Sequence, residues 1–407
     1  MRRAFFIVIA IVAVVGIGLA LYFFFTGSQG GVRDGSSPNG PQLPGGTPGY
    51  VPSTGGTSST TGSGGDQLPT SDTFGVVAPN QVVDYFIDGQ NGVTIIQPDG
   101  QIIKISNGSQ TVLSSVPITG VLSAAFSYDG QKALVVFGSS KKPQTSVYDV
   151  IDKTWQPLPE DVRTPVWAPN GYLIAYTSYA NNLTTIHTLD VSTKKLVPRD
   201  IVKLRFLDPV LFWPWQEALF ISGKGSAFHR GSLFEVLVAS GRIYPIILDK
   251  EGLSVLWDTK TTTGLMFGTD STHTGGSLSL IGNDGVPTRN LSFITLPSKC
   301  AFQTTEVVAV AATSTATSTT TQQTTSLLCA VPSDSATMKD APLPDAYDKR
   351  AFLTTDAIYK IQTDTGDVST VFNNTTTPFD ASRIKITRGR LFFINRIDNR
   401  LYGVALH

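Results

Sequence analysis

Few residues of this 407-residue chain are of types that do chemistry, and those few are scattered. The only cysteines are Cys300 and Cys329. Without a nearby cluster of histidines or carboxylates, two thiols are too few for a structural zinc site, which takes four ligands. In an exported domain two cysteines are expected to pair, so Cys300 and Cys329 are read as a disulfide. The four histidines, His187, His229, His273 and His407, stand far apart with no His-x-x-x-His pair. They read as surface or strand residues. No Gly-x-Ser-x-Gly elbow is present, which disfavours a peptidase of the kind that adds an α/β-hydrolase domain. Asp88, Asp99, Asp129 and Asp284 each precede a glycine and read as turn formers. The densest aromatic cluster, Phe212, Trp213 and Trp215 with Phe206 nearby, offers two readings. It is a platform for stacking sugar or peptide, or it is core between packed elements. No catalytic, cofactor-binding or metal-binding residue is assigned, and no cofactor is expected.

The elements that carry these residues are short strands. From about residue 75 onward, apolar runs rich in Val, Ile, Leu, Phe and Tyr alternate with turn pairs such as Asp99-Gly100, Asp129-Gly130, Asn170-Gly171 and Asp284-Gly285, the pattern of successive hairpins. A strand with a polar turn after it recurs at Ile103, Tyr148, His187, Phe234, Ser279, Tyr359 and Tyr402, at spacings of 45, 39, 47, 45, 80 and 43. A second landmark, an apolar strand ending in an aromatic, keeps the same phase at Phe86, Phe126, Trp167, Trp213, Trp257 and Phe302, spaced 40, 41, 46, 44 and 45. Each period holds about four strands, which is one propeller blade. A lone blade leaves two apolar faces bare, so blades must stack in a ring. The fold expected over 73–407 is an all-β, seven-bladed β-propeller.

The spacing of 80 marks an enlarged sixth blade. It carries a Thr/Ser-rich insertion at about 304–325, read as a long hairpin loop, and a Pro/Asp/Ala-rich one at about 333–348. The seventh blade has three evident strands before the chain ends, and Phe74-Gly75-Val76-Val77-Ala78 is the expected fourth.

Trp167-Ala-Pro-Asn-Gly171 and Phe126-Ser-Tyr-Asp-Gly130, each leading into an apolar strand, resemble the TolB-type repeat, a relative of the tryptophan–aspartate-repeat propellers. The resemblance is close in two or three blades. Trp257-Asp-Thr-Lys and Trp213-Pro-Trp-Gln depart from it. TolB-type propellers bind proteins in bacterial envelopes, so the resemblance implies an interaction role.

The head is preceded by two segments of different character. Ala4 to Phe25 is uncharged and almost wholly apolar; at ~1.5 Å per residue it spans roughly 33 Å, enough for a bilayer core. Arg2 and Arg3 before it leave the N-terminus in the cytoplasm and the rest outside. Residues 1–25 are therefore expected to be a signal-anchor helix, giving a single-pass protein of the cell membrane. Residues 26–72, dominated by Gly, Ser, Thr and Pro, read as a disordered tether. Charge is balanced, 31 basic against 31 acidic, with no basic face for nucleic acid. The expected partners are the membrane and an envelope or surface protein. Three functions fit: a binding module at the cell envelope, a propeller hydrolase or lyase acting on extracellular glycan or peptide, and an architectural spacer.

Overall fold

The computed structural model describes residues 74–406, except 90–91, 115–117, 314–315 and 375, with the side chains of 306–323 also left out. The expected membrane helix and tether lie outside the described residues. Among the described residues no helix is long and apolar enough to cross a membrane.

Among the described residues, twenty-eight strands form seven antiparallel sheets of four strands each. The first strands are Asp84–Ile87, Val121–Phe126, Arg163–Trp167, Val210–Trp215, Ser254–Trp257, Cys300–Thr313 and Ala381–Thr387. Neighbouring blades meet through them, so they line the centre of the ring. Both landmarks read from the sequence fall in phase on this frame. The aromatics Phe86 to Phe302 lie on first strands, and the copies from Ile103 to Tyr402 lie on third strands.

Burial explains why strict alternation fails in the middle of each blade. A blade packs a neighbour on both faces, so its second strand is buried throughout, as in Ala218–Ser222 and Gly264–Gly268. Fourth strands such as Ser109–Val112 face water and are polar. Seven apolar clusters occur among the described residues, one at each blade–blade interface. Polar staples repeat at about the blade period. Trp167 Nε1 donates to the Ala125 carbonyl at 2.9 Å, and Trp215 Nε1 to the Asp258 carbonyl at 3.1 Å. Tyr172 Oη donates to Asp129 Oδ2 at 2.7 Å. The turn before it needs its glycine. Gly130 has φ +71°, and a Cβ there would meet the Phe86 ring at 2.1 Å.

The ring closes with chain from both ends. Strand Gly75–Gln81 pairs antiparallel with Arg400–Ala405, Gly75 opposite Gly403, with two irregularities in register. Ala78 is fully buried there, and the Phe74 ring stacks on Phe372 and Tyr402 at 5.2 and 5.3 Å. Across the next interface, Tyr85 Oη donates to the carbonyls of Arg383 and Phe392 at 2.6 and 2.8 Å.

Both insertions of the sixth blade differ from loops. Residues 304–325 extend the blade's first hairpin as a paired ladder, Thr304 opposite Thr325 through to Thr313 opposite Ala316. Thr and Val are β-branched and hold extended backbone, so this stretch pairs with itself. Residues 333–348 form two short helices, Ala336–Asp340 and Asp345–Asp348. Met338, Leu343 and Tyr347 turn inward from them and are buried against the fifth and sixth blades.

Candidate functional site

On the inner strands of blades three to five lies a cavity of about 670 Å³, walled by Phe212, Trp213, Val255, Leu256 and Trp257, with Pro297 of the sixth blade closing one side. Inner strands present every second residue to the centre of the ring, so apolar residues there make an apolar wall. The rim is charged. Lys224, after the second strand of blade four, reaches Asp348 of the insertion at 4.0 Å.

The second insertion places that carboxylate. Asp345 Oδ2 accepts from the Ala227 amide at 2.7 Å, and Thr269 donates to the Leu343 carbonyl. The Gly275 amide donates to the Ala341 carbonyl at 2.9 Å. Arg396 then holds the residue next to Asp348, donating to the Tyr347 carbonyl at 2.6 Å and lying 3.6 Å over the Tyr347 ring. Although Asp348 keeps 42% of its side-chain surface, burial by the protein packed around it raises its carboxyl above the usual range, against the pull of Lys224 and Arg396.

Below the insertion sits a buried ionic cluster. Lys299 and both its carboxylate partners are fully buried, with Nζ 2.7 Å from Asp356 and 2.5 Å from Asp380. Lys299 also donates to Thr354 Oγ1 at 3.0 Å and Tyr347 Oη at 3.2 Å. Arg396 pairs with Asp380 at 2.9 Å. Two cations face two anions, and each charge has hydrogen-bond partners. Burial alone would lower the Lys299 ammonium, but Asp356, the Tyr347 phenol and Asp380 hold it above the ordinary lysine value. Burial also opposes Asp380, yet Lys299 and Arg396 keep its carboxyl below the usual range. Through Arg396, which holds both Asp380 and the Tyr347 carbonyl, the cluster supports the rim.

The structure separates the three aromatics that read as either a platform or core. Trp213 lies in the core between blades three and four, 7% exposed, while Phe212 and Trp215 pack between blades four and five. Phe212 and Trp213 border the cavity, and Trp215 instead lies against Trp257 at 5.4 Å. The indole N–H groups of Trp213 and Trp257 are buried without an acceptor among the described residues. Cys300 and Cys329 are joined as a disulfide across adjacent strands, directly opposite in register. Among the described residues no cluster of three or more His, Cys, Asp or Glu could hold a metal. Neither the cavity rim nor the Lys299 cluster was anticipated from sequence. Nothing in Pro-Ser-Lys-Cys marks Lys299, because its partners lie 48 to 81 residues away.

The sequence matches no protein-family model and no curated relative. Solved structures share the fold at low identity. An oligogalacturonate lyase from Vibrio parahaemolyticus is similar at a TM-score of 0.51 and 10% identity, over 81% of this chain and 90% of the lyase. The tricorn protease is similar at 0.50 and 12%, over 83% of this chain and 34% of the protease. TolB from Acinetobacter baumannii is similar at 0.38 and 12%, over 71% of this chain and 63% of TolB. The chain thus spans about a third of the tricorn protease and under two thirds of TolB.

Proposed function

We propose that this chain is a membrane-anchored, extracytoplasmic binding module that engages an envelope or surface protein through the cavity on its inner strands. The observation that carries the reading is the cavity itself. Its volume of about 670 Å³ falls in the usual range for ligand sites, and such sites pair apolar walls with a few fixed polar groups. An apolar wall under a Lys224–Asp348 rim suits an apolar side chain of a partner protein, with the rim held for its backbone or flanking charges. Anchoring rests on the uncharged run Ala4 to Phe25 behind Arg2 and Arg3, and the disulfide fits an oxidising compartment.

The test is affinity capture with the full-length chain from gently solubilised native membranes. Ser298→Trp fills the cavity from an exposed position, and Lys224→Glu reverses the rim charge. A partner retained by the parent and lost from both variants, at matched melting temperatures, supports the reading. A partner held equally by all three overturns the cavity as its docking site.

A further inference from the structure

Three side chains on neighbouring strands of the third blade form a chain of polar contacts apart from the cavity above. Ser178 lies on Leu173–Ala180, His187 on Leu183–Asp190 and Asp200 on Arg199–Leu204. Ser178 Oγ is 2.7 Å from His187 Nε2, and Asp200 Oδ1 is 2.9 Å from Nδ1. The turn at Asn181-Asn182, both at positive φ, fixes the pairing that sets His187 opposite Tyr176, and pairing with the fourth strand sets Asp200 opposite His187 on the other side. His187 is 9% exposed and stacks on the Tyr176 ring at 4.8 Å. We propose that Ser178 and His187 are a nucleophile and its general base, oriented by Asp200, that hydrolyse short-chain carboxylic esters of hydroxyl-bearing alcohols.

The tautomer follows from the neighbours. Asp200 Oδ1 makes no hydrogen bond to Nδ1, but its negative charge beside that nitrogen favours the ring proton there and leaves Nε2 to accept from Ser178. The carboxylate lies off the line of the ring N–H, the loose alignment that sites without substrate often show. Asp200 acts through the ring and is a positioning residue. The groups facing this ring are Tyr176, Ser178 and Asp200. Lys203 pairs with Asp200 at 3.5 Å, and Asp161 and Asp200 add to the burial that pushes the Tyr176 phenol up to about 12.

Ser178 opens on a cavity of about 570 Å³ shared with Arg163, Thr164, Thr177, Thr184 and Asp208. Beside these polar groups its lining includes Pro143, Tyr179, Leu207 and Pro209, a mixture that suits a short acyl chain joined to a hydroxyl-bearing alcohol better than a long lipid chain. Thr164 has φ +42°, a region that β-branched residues rarely enter, and such strain concentrates at functional sites. The reaction is ordinary acyl transfer. Ser178 Oγ attacks the carbonyl carbon as its proton passes to His187 Nε2, and the carbonyl electron pair moves to oxygen. Collapse expels the alcohol, protonated by His187. Water then attacks the acyl-serine by the same route, releasing the acid and restoring Ser178.

The test uses the full-length chain with diisopropyl fluorophosphate and p-nitrophenyl acetate. We expect one diisopropylphosphoryl adduct, mapped by mass spectrometry to Ser178, and ester hydrolysis that Ser178→Ala lowers by about 100-fold with its melting temperature kept. Asp200→Asn, at a half-exposed position, should slow hydrolysis and move the acidic limb of the pH–rate profile, which a purely structural carboxylate would leave in place. No adduct at Ser178, or hydrolysis unchanged in Ser178→Ala, overturns the proposal and leaves the three residues as a tie between strands.

Discussion

Replacing Lys299 with methionine removes one charge from a fully buried set of four. Met fills similar volume, so the loss is electrostatic. It deletes contacts to Asp356, Asp380, Thr354 and Tyr347 and leaves two carboxylates with only the Arg396 guanidinium. Breaking a buried pair from one side costs about 3–5 kcal/mol, because the remaining charge has no compensation. A domain of this size unfolds with an entropy of about 0.7 kcal/mol/K, so the melting temperature should fall by roughly 4–7 °C. Asp356 carries most of the penalty, since Asp380 keeps Arg396 at 2.9 Å. Burial already lifts the Asp356 carboxyl above the ordinary range even beside Lys299. Without the ammonium it rises further, so the deficit of the variant shrinks as acid protonates it. Lys299→Met with Asp356→Asn restores the charge balance and should recover at least half of the lost stability. Urea denaturation at neutral and mildly acidic pH measures all of this. A single variant costing under about 1 kcal/mol, typical of exposed pairs, or a double variant weaker than the single, would refute the reasoning.

The closing strand gives a second expectation. Phe74→Ala removes a ring packed on Phe372 and Tyr402 and should cost about 3 kcal/mol, read as a lower melting temperature; an unchanged melt means the seam contributes nothing. The third concerns alkali. Burial holds the Tyr85 and Tyr347 phenols above their ordinary value, and ion pairing does the same for Lys299. Each proton is bound more tightly in the folded chain, so above about pH 10 the unfolded chain releases it first. Stability is complete below that point and falls by up to about 1.4 kcal/mol per pH unit per group. Melting curves by circular dichroism that stay flat from about pH 8 to 11 would contradict these assignments.

Much of the ring was legible because it is periodic. The aromatics from Phe86 to Trp257 and the strand copies from Ile103 to Tyr402 repeat a local pattern, and local patterns are what a sequence displays. The count of seven followed, as did the closing strand at Gly75, which a three-stranded last blade requires. What escaped notice depends on contacts between distant segments. The insertion at 333–348 looks like a loop until Met338, Leu343 and Tyr347 find a core to enter. Lys299 carries no local signal, since Asp356 and Asp380 arrive from 57 and 81 residues away. The Ser178–His187 contact was nearer to hand. A two-residue turn at Asn181-Asn182 fixes the pairing, and reading that register would have set the two side chains on one face. Trp213 and Trp215 left two readings open for a local reason: an irregularity between Phe212 and Trp215 upsets simple alternation.

The pairing of Gly75 with Gly403 also has a consequence in time. The outermost strand of the last blade is made before every other described strand of the ring, and its partner after them. At ~5–20 residues per second, the ribosome needs about 20–70 s to supply the other half of the seam. Throughout that interval Gly75–Gln81 is a strand without a sheet, beside nascent blades whose edges could accept it. Its own sequence limits that hazard. Pro79 cannot donate to a ladder, and the breaks in register around it disfavour a long, regular pairing with the wrong neighbour. The strand is a poor match for most edges and a sufficient one for Arg400–Ala405, so the synthesis of that partner strand becomes the event that commits the ring.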